Sequence, residues 1–251
     1  MRNLLREELF KSRKGVTTYI CAGWCVFSLI VSLFTISNVD LPLHESWQDF
    51  QCRMPFFFDA SLLSVIFAAV FVAAEFSGGT IKNYVALGID RNKVYFTKLI
   101  KVLGTVLAIV FLCQILSLTV TPFILESGNS LGGKGALLYF YGLLIIIQQA
   151  CFYTFLAFWL RNAVGVIGLY FGIMVFEEVL LVCLNLADGI FADFLVEALT
   201  YSTYMQQVNY ISTAITEMNP LKVVLALIVP LVISGVSICL GMLTFNKRDI
   251  K

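Results

Sequence analysis

Six stretches of this chain, residues 16–36, 54–74, 94–125, 136–160, 164–186 and 221–245, are apolar over roughly 20 residues or more, the length an α-helix needs to cross a ~30 Å hydrocarbon core. Backbone polar groups in lipid must be satisfied within the segment, so each run is expected as a membrane helix. With 251 residues, 59% of them hydrophobic and 13% charged, the chain has too little polar surface to cover these runs in water. The expected fold is all-α: one transmembrane domain over residues 1–251 with six spans. The first run follows basic residues, as a secretory signal does. It is nevertheless long enough to span, and no small-residue cleavage pattern follows it, so it is expected to be a retained helix.

Orientation follows from the positive residues. Of the 17 Lys and Arg, 14 fall on one set of flanks: Arg2, Arg6, Lys11, Arg13, Lys14, Lys82, Arg91, Lys93, Lys98, Lys101, Arg161, Lys247, Arg248 and Lys251. Only Arg53, Lys134 and Lys222 fall on the other, where Asp40, Glu45, Asp49, Glu126, Asp188, Asp193, Glu197 and Glu217 gather. The basic side is expected to be cytoplasmic, with both termini there. Residues 1–14 place Leu4, Leu5, Leu9 and Phe10 near helical spacing among charges. That pattern suits an interfacial helix on the inner leaflet, or equally a basic stop before the first span. Six of the seven cysteines lie in apolar runs, leaving Cys52 in a polar stretch, so no disulfide framework is expected. His44 is the one histidine, which argues against a histidine-rich metal centre.

The most informative stretch is EFSGGTIKNYVALGIDRNKVYFTKLIK, residues 75–101. Gly78 and Gly79 break the second span, and Thr80 is a candidate cap. Ile81, Tyr84, Val85 and, less cleanly, Leu87 form an apolar face, while Lys82 and Asn83 face water. Gly88 suits the left-handed stop, and Asp90 can cap the long third span, whose Lys93, Lys98 and Lys101 are expected to snorkel to the interface. The pattern predicts a helix of about eight residues, residues 80–87, lying across the ends of two spans. It reads as a crosspiece that passes a push from a soluble partner into both, or as an ordinary amphipathic loop helix.

Glu75, Phe76, Gly79, Thr80, Ile81, Lys82, Asn83, Gly88, Arg91 and Lys98, with the basic ending FNKRDIK, resemble the pattern of the ABC type-2 permease family, membrane subunits of ATP-binding-cassette exporters. The resemblance covers the whole chain and implies six spans with inside termini in the plasma membrane of a bacterial cell. It implies that residues 80–87, including Tyr84, form a coupling helix seated in a nucleotide-binding ATPase subunit, with Glu75 and Phe76 at its hinge. ATP and Mg would belong to that partner, and this chain would hold no cofactor. A second permease subunit, identical or a sister chain, would complete the path. Pairing of Glu75 with a nearby Lys or Arg is the plainer reading of that residue.

On the other side, residues 187–220 carry Ile190, Phe191, Phe194, Leu195, Ala198 and Leu199 at helical spacing, with Asp188 placed to cap them. Short re-entrant or interfacial helices fit, and the resemblance implies an outer gate there; a packed cap is the alternative. Glu177 and Glu178 lie within the fifth span, where a carboxylate normally faces protein or water. They either line an exit vestibule or bind a cationic part of the cargo, with Asp59 a candidate third member of the acidic ring, or one pairs and the other snorkels outward. Gly168 and Gly172 form a weak G-x-x-x-G signal for close helix approach.

No P-loop, H-E-x-x-H or G-x-S-x-G occurs, and the basic residues are spread as membrane orientation requires, which leaves catalysis and nucleic-acid binding without support. The expected function is a permease subunit that exports an amphiphilic cargo, such as an antimicrobial peptide, a lipid or a hydrophobic drug. The cargo class follows from an aromatic-rich interior with 22 Phe. The rival is an ATP-independent scaffold, sensor subunit or passive channel.

Overall fold

The computed structural model describes residues 4, 6–8, 10, 11, 15–37, 56–124, 133–186, 207 and 220–247, and every regular element among them is helical. Helix α1 is Val16–Ser37. Helix α2 starts as Phe56–Ala68, widens into a π turn at Ala69–Ala73 and closes as Ala74–Ser77. The short α3 is Thr80–Ala86; α4 is Arg91–Ile124, α5 Gly133–Leu160, α6 Ala163–Asn185 and α7 Pro220–Lys247.

Five helices among the described residues are long and apolar enough to cross a membrane, at Ala60–Ser77, Arg91–Leu116, Phe140–Leu160, Ala163–Leu184 and Val223–Lys247. Helix α1 adds a shorter described apolar stretch, Val16–Phe27. The chain is therefore a multi-pass helical membrane protein. Its surface agrees with that. Tyr19, Trp24 and Phe27 on α1, Phe171 and Phe176 on α6, and Leu231 and Val232 on α7 are all exposed. Such continuous apolar faces are rare on proteins bathed in water.

Local chemistry sets the helix ends. Asp90 Oδ1 accepts the Asn92 amide at 3.1 Å to open α4, and Asn162 Oδ1 accepts the Val164 amide at 3.0 Å to open α6. Pro220 stands first in α7, where its missing N–H costs nothing. Arg161, between α5 and α6, has a φ of 55°, a left-handed conformation uncommon outside glycine. At 34 residues α4 is about 50 Å long, so one end extends past any bilayer core.

Helix α5 is the hub. It packs on α2, α4, α6 and most extensively on α7. Tyr141 ties the two together by donating to the Val223 carbonyl at 2.9 Å. The apolar core, including Phe67, Val72, Val102, Ile145, Ile146 and Phe158, fills the space among α2, α4 and α5. Gly168 and Gly172 instead lie on the exposed side of α6, and a Cβ on either would meet nothing within 4 Å. The close approach their spacing permits is not made among the described residues.

A different glycine does make one. Gly241 of α7 accepts the ring of Tyr95 from α4, and a Cβ at that position would lie 2.2 Å from the tyrosine oxygen. Tyr95 is fully buried and tilts against Phe158 at 4.7 Å, so it has no free space to retreat into. Gly241→Ala is expected to destabilise the purified protein by about 1–3 kcal/mol through overpacking. Melting curves of Gly241→Ala, Tyr95→Leu and the double variant check this: the double should lose clearly less than the sum of the singles.

Candidate functional site

The turn from α2 through α3 into α4 is built by two left-handed glycines. Gly79 sits at the N-cap of α3 with φ 71°, and Gly88 follows its last turn with φ 77°. Thr80 is thus the first helical residue and not the expected cap, since the left-handed cap position selects glycine. At the other end the Gly88 amide donates to the Val85 carbonyl at 3.0 Å, and the Ile89 amide donates to the Tyr84 carbonyl at 3.1 Å. These two bonds are the paired closure of a Schellman stop. Space around both glycines is open, so their requirement is conformational only.

Helix α3 has two faces. Ile81 and Tyr84 are buried against the bundle, whereas Lys82, Asn83 and Ala86 are exposed and Leu87 is 77% exposed. Among the residues expected to meet a partner, Tyr84 therefore points inward and Leu87 points out.

Under α3 lies a buried ionic cluster. Glu8, on the short helical stretch at residues 6–8, accepts from Lys98 at 2.7 Å on one carboxylate oxygen and from Lys101 at 2.5 Å on the other. Lys98 also pairs with Glu75 at the end of α2. Glu8 and Lys98 are each 1% exposed and Lys101 is 5% exposed. Lys101 additionally stands 4.1 Å from the ring centre of Phe71, in the π turn. Lys98 and Lys101 were expected to snorkel. They turn inward instead, because three residues apart they share one face of α4, and that face meets two carboxylates. Lys93 is exposed, as expected.

Tyr84 links this cluster to α3. Its hydroxyl donates to Glu7 at 2.7 Å and accepts from Lys11 at 2.9 Å, and Lys11 pairs with Glu7 at 2.8 Å. Around this docked segment Glu8 is buried and Leu4 packs against the apolar core, whereas Arg6 and Phe10 are exposed. Glu8 is turned inward because the buried lysines of α4 require counter-charge. Burial alone would raise the Glu8 carboxyl, but Lys98 and Lys101 outweigh it and hold it below its ordinary range. Hydrogen bonds from Lys11 and Tyr84 lower Glu7. For Lys11, burial is overcome by Glu7, Tyr84 and Glu8, which raise it. Burial pushes Tyr84 up to about 12, so it stays a neutral donor.

An aromatic knot adjoins the ions. Phe76 meets Phe158 edge-on at 5.6 Å and Phe245 at 6.1 Å, with Arg161 5.2 Å above its ring. Arg91 donates to the Phe245 and Asn246 carbonyls at 3.2 and 2.9 Å, capping the end of α7. Asn246 returns a bond to Asn92 at 2.9 Å. One end of the bundle therefore collects Glu7, Glu8 and Lys11, α3, the base of α4, the α5–α6 turn and the end of α7. This is where the sequence concentrates its positive residues.

The other expected sites are less defined. Glu177 is buried and Glu178 exposed, on different sides of α6. Asp59 falls in α2 with its side chain outside the described residues, and Phe191 and Phe194 also lie outside them, as does the 187–220 segment apart from Gln207 and Pro220. Glu8, Tyr95, Phe158, Gly241 and Phe245 escaped the sequence reading. Only Glu8 left a signal, an acid within a basic flank at helical distance from residues that dock. Among the described residues, no group of three or more His, Cys, Asp or Glu could hold a metal ion.

A family model described as a protein of unknown function, DUF2705, matches residues 47–251. None of the curated proteins matches the chain. The match corrects the resemblance to the ABC type-2 permeases: the pattern at residues 75–98 is short, and much of it is the glycine and lysine placement that any tight turn between two membrane helices needs.

Two outcomes are expected at this site. Gly88→Ala should cost about 1 kcal/mol in thermal stability and Gly88→Asn less, because asparagine tolerates the left-handed region. The lowered Glu8 pKa stabilises docking above about pH 4.3 and the effect fades as pH falls through the folded value. Proteolysis of residues 1–14 should therefore be flat from pH 8 to 5 and rise below roughly pH 4.

Proposed function

The chain belongs to the DUF2705 family, and for this member we propose the role of a membrane-embedded permease subunit, driven by ATP hydrolysis in a separate soluble subunit that docks on α3. One observation carries the reading: α3 is a short helix stopped by a left-handed glycine at each end and joined directly to two candidate spans. Its outer face offers Lys82, Asn83 and Leu87, while Tyr84 on its inner face reaches the ions that bind α4. Force on the outer face would reach α2 and α4 together, and through Phe76 and Phe245 would reach α5 and α7.

In this reading α1 completes six spans, and the basic end of the bundle faces the cytoplasm of a cell membrane. A second copy or a sister chain completes the path for an amphiphilic cargo moving outward. The chain itself performs no catalysis, and ATP with Mg belongs to the partner.

Purification from membranes in mild detergent, followed by mass spectrometry, tests this. A P-loop ATPase should accompany the wild-type chain, and Lys82→Glu combined with Leu87→Glu should lower its yield roughly tenfold or more. Absence of any ATPase would leave an ATP-independent scaffold or channel as the better reading, and full retention in the double variant would overturn α3 as the docking site.

A further inference from the structure

We propose that Glu7, Glu8 and Lys11, on the N-terminal helical residues, form a clasp that fixes α3 to the base of α4, with Glu8 as its catch. The two elements it joins touch each other little, since α3 has only a small contact with α4. The segment bridges them from outside. Glu7 and Lys11 hold the Tyr84 hydroxyl of α3, while both oxygens of Glu8 are taken by Lys98 and Lys101 of α4. Charge makes the catch all-or-none. The cluster balances Glu7, Glu8 and Glu75 against Lys11, Lys98 and Lys101. Loss of Glu8 leaves Lys98 and Lys101 side by side in a buried site facing the Glu75 carboxylate, an imbalance that a buried site tolerates poorly.

A clasped α3 moves with α4; an unclasped one hinges on Gly79 and Gly88. The clasp does not depend on what docks at α3. Its consequence for partner-driven movement rests on the proposed function, so the test omits any partner.

Hydrogen exchange on the full chain in lipid nanodiscs reads the clasp directly. Glu8→Gln should speed exchange of the Thr80–Ala86 amides roughly tenfold or more, while α5 amides stay unchanged. Tyr84→Phe keeps every buried ion but removes the hydroxyl between Glu7 and Lys11, and should give a smaller increase confined to α3. Glu8→Lys with Lys101→Glu, which restores the charge balance, should recover slow exchange. If Glu8→Gln does not fold, the last two variants carry the test. Wild-type α3 exchange in Tyr84→Phe, or no recovery in the swap while Lys101→Glu alone behaves the same, would overturn the clasp.

Discussion

A glutamate side chain held between two lysine ammonium groups, out of water, organises one whole end of this molecule. Glu8, Lys98 and Lys101 are each nearly inaccessible, and such charges persist only when their partners are fixed in place. Removing one partner from a buried ion pair typically costs about 3–5 kcal/mol, a large fraction of the stability of a whole domain. The position of the N-terminal segment, the inward turn of the α4 lysines and the seat of α3 are therefore consequences of one electrostatic requirement.

The aromatic knot has a different role. Phe76, Tyr95, Phe158 and Phe245 come from four helices and meet through edge-on and tilted contacts. These contacts have shape but little sensitivity to ionic conditions. Ions and rings thus share the work at the basic end. The rings hold α2, α4, α5 and α7 at fixed spacing, and the ions attach two short pieces, the N-terminal residues around Glu8 and α3, to that frame. Gly241 completes the frame by leaving room for Tyr95.

Much of the local structure was legible because it depends on neighbouring residues. The positions of the five long apolar helices follow from apolar run length. The left-handed stop at Gly88 and the cap at Asp90 follow from residue type and spacing. Thr80 misled because a threonine before an amphipathic stretch fits a cap equally well, and the geometry of Gly78 and Gly79 decides which residue is first. Lys98 and Lys101 misled for a stronger reason. Snorkelling is the default for a lone lysine near a membrane boundary, and although Glu75 was a legible partner for Lys98, nothing adjacent in the chain announces the Glu8 carboxylate some 90 residues away.

The amino-acid order alone determined the helical class, the apolar segments, the side that gathers positive charge and the two glycine stops, since each is set within a few residues or by summed composition. Only the folded arrangement decided which charged groups are buried, which face of α3 is outward, and which glycine admits a tyrosine. Those depend on contacts between residues far apart in the chain, and a pair such as Glu8 and Lys98 becomes an interaction only when packing removes water from both.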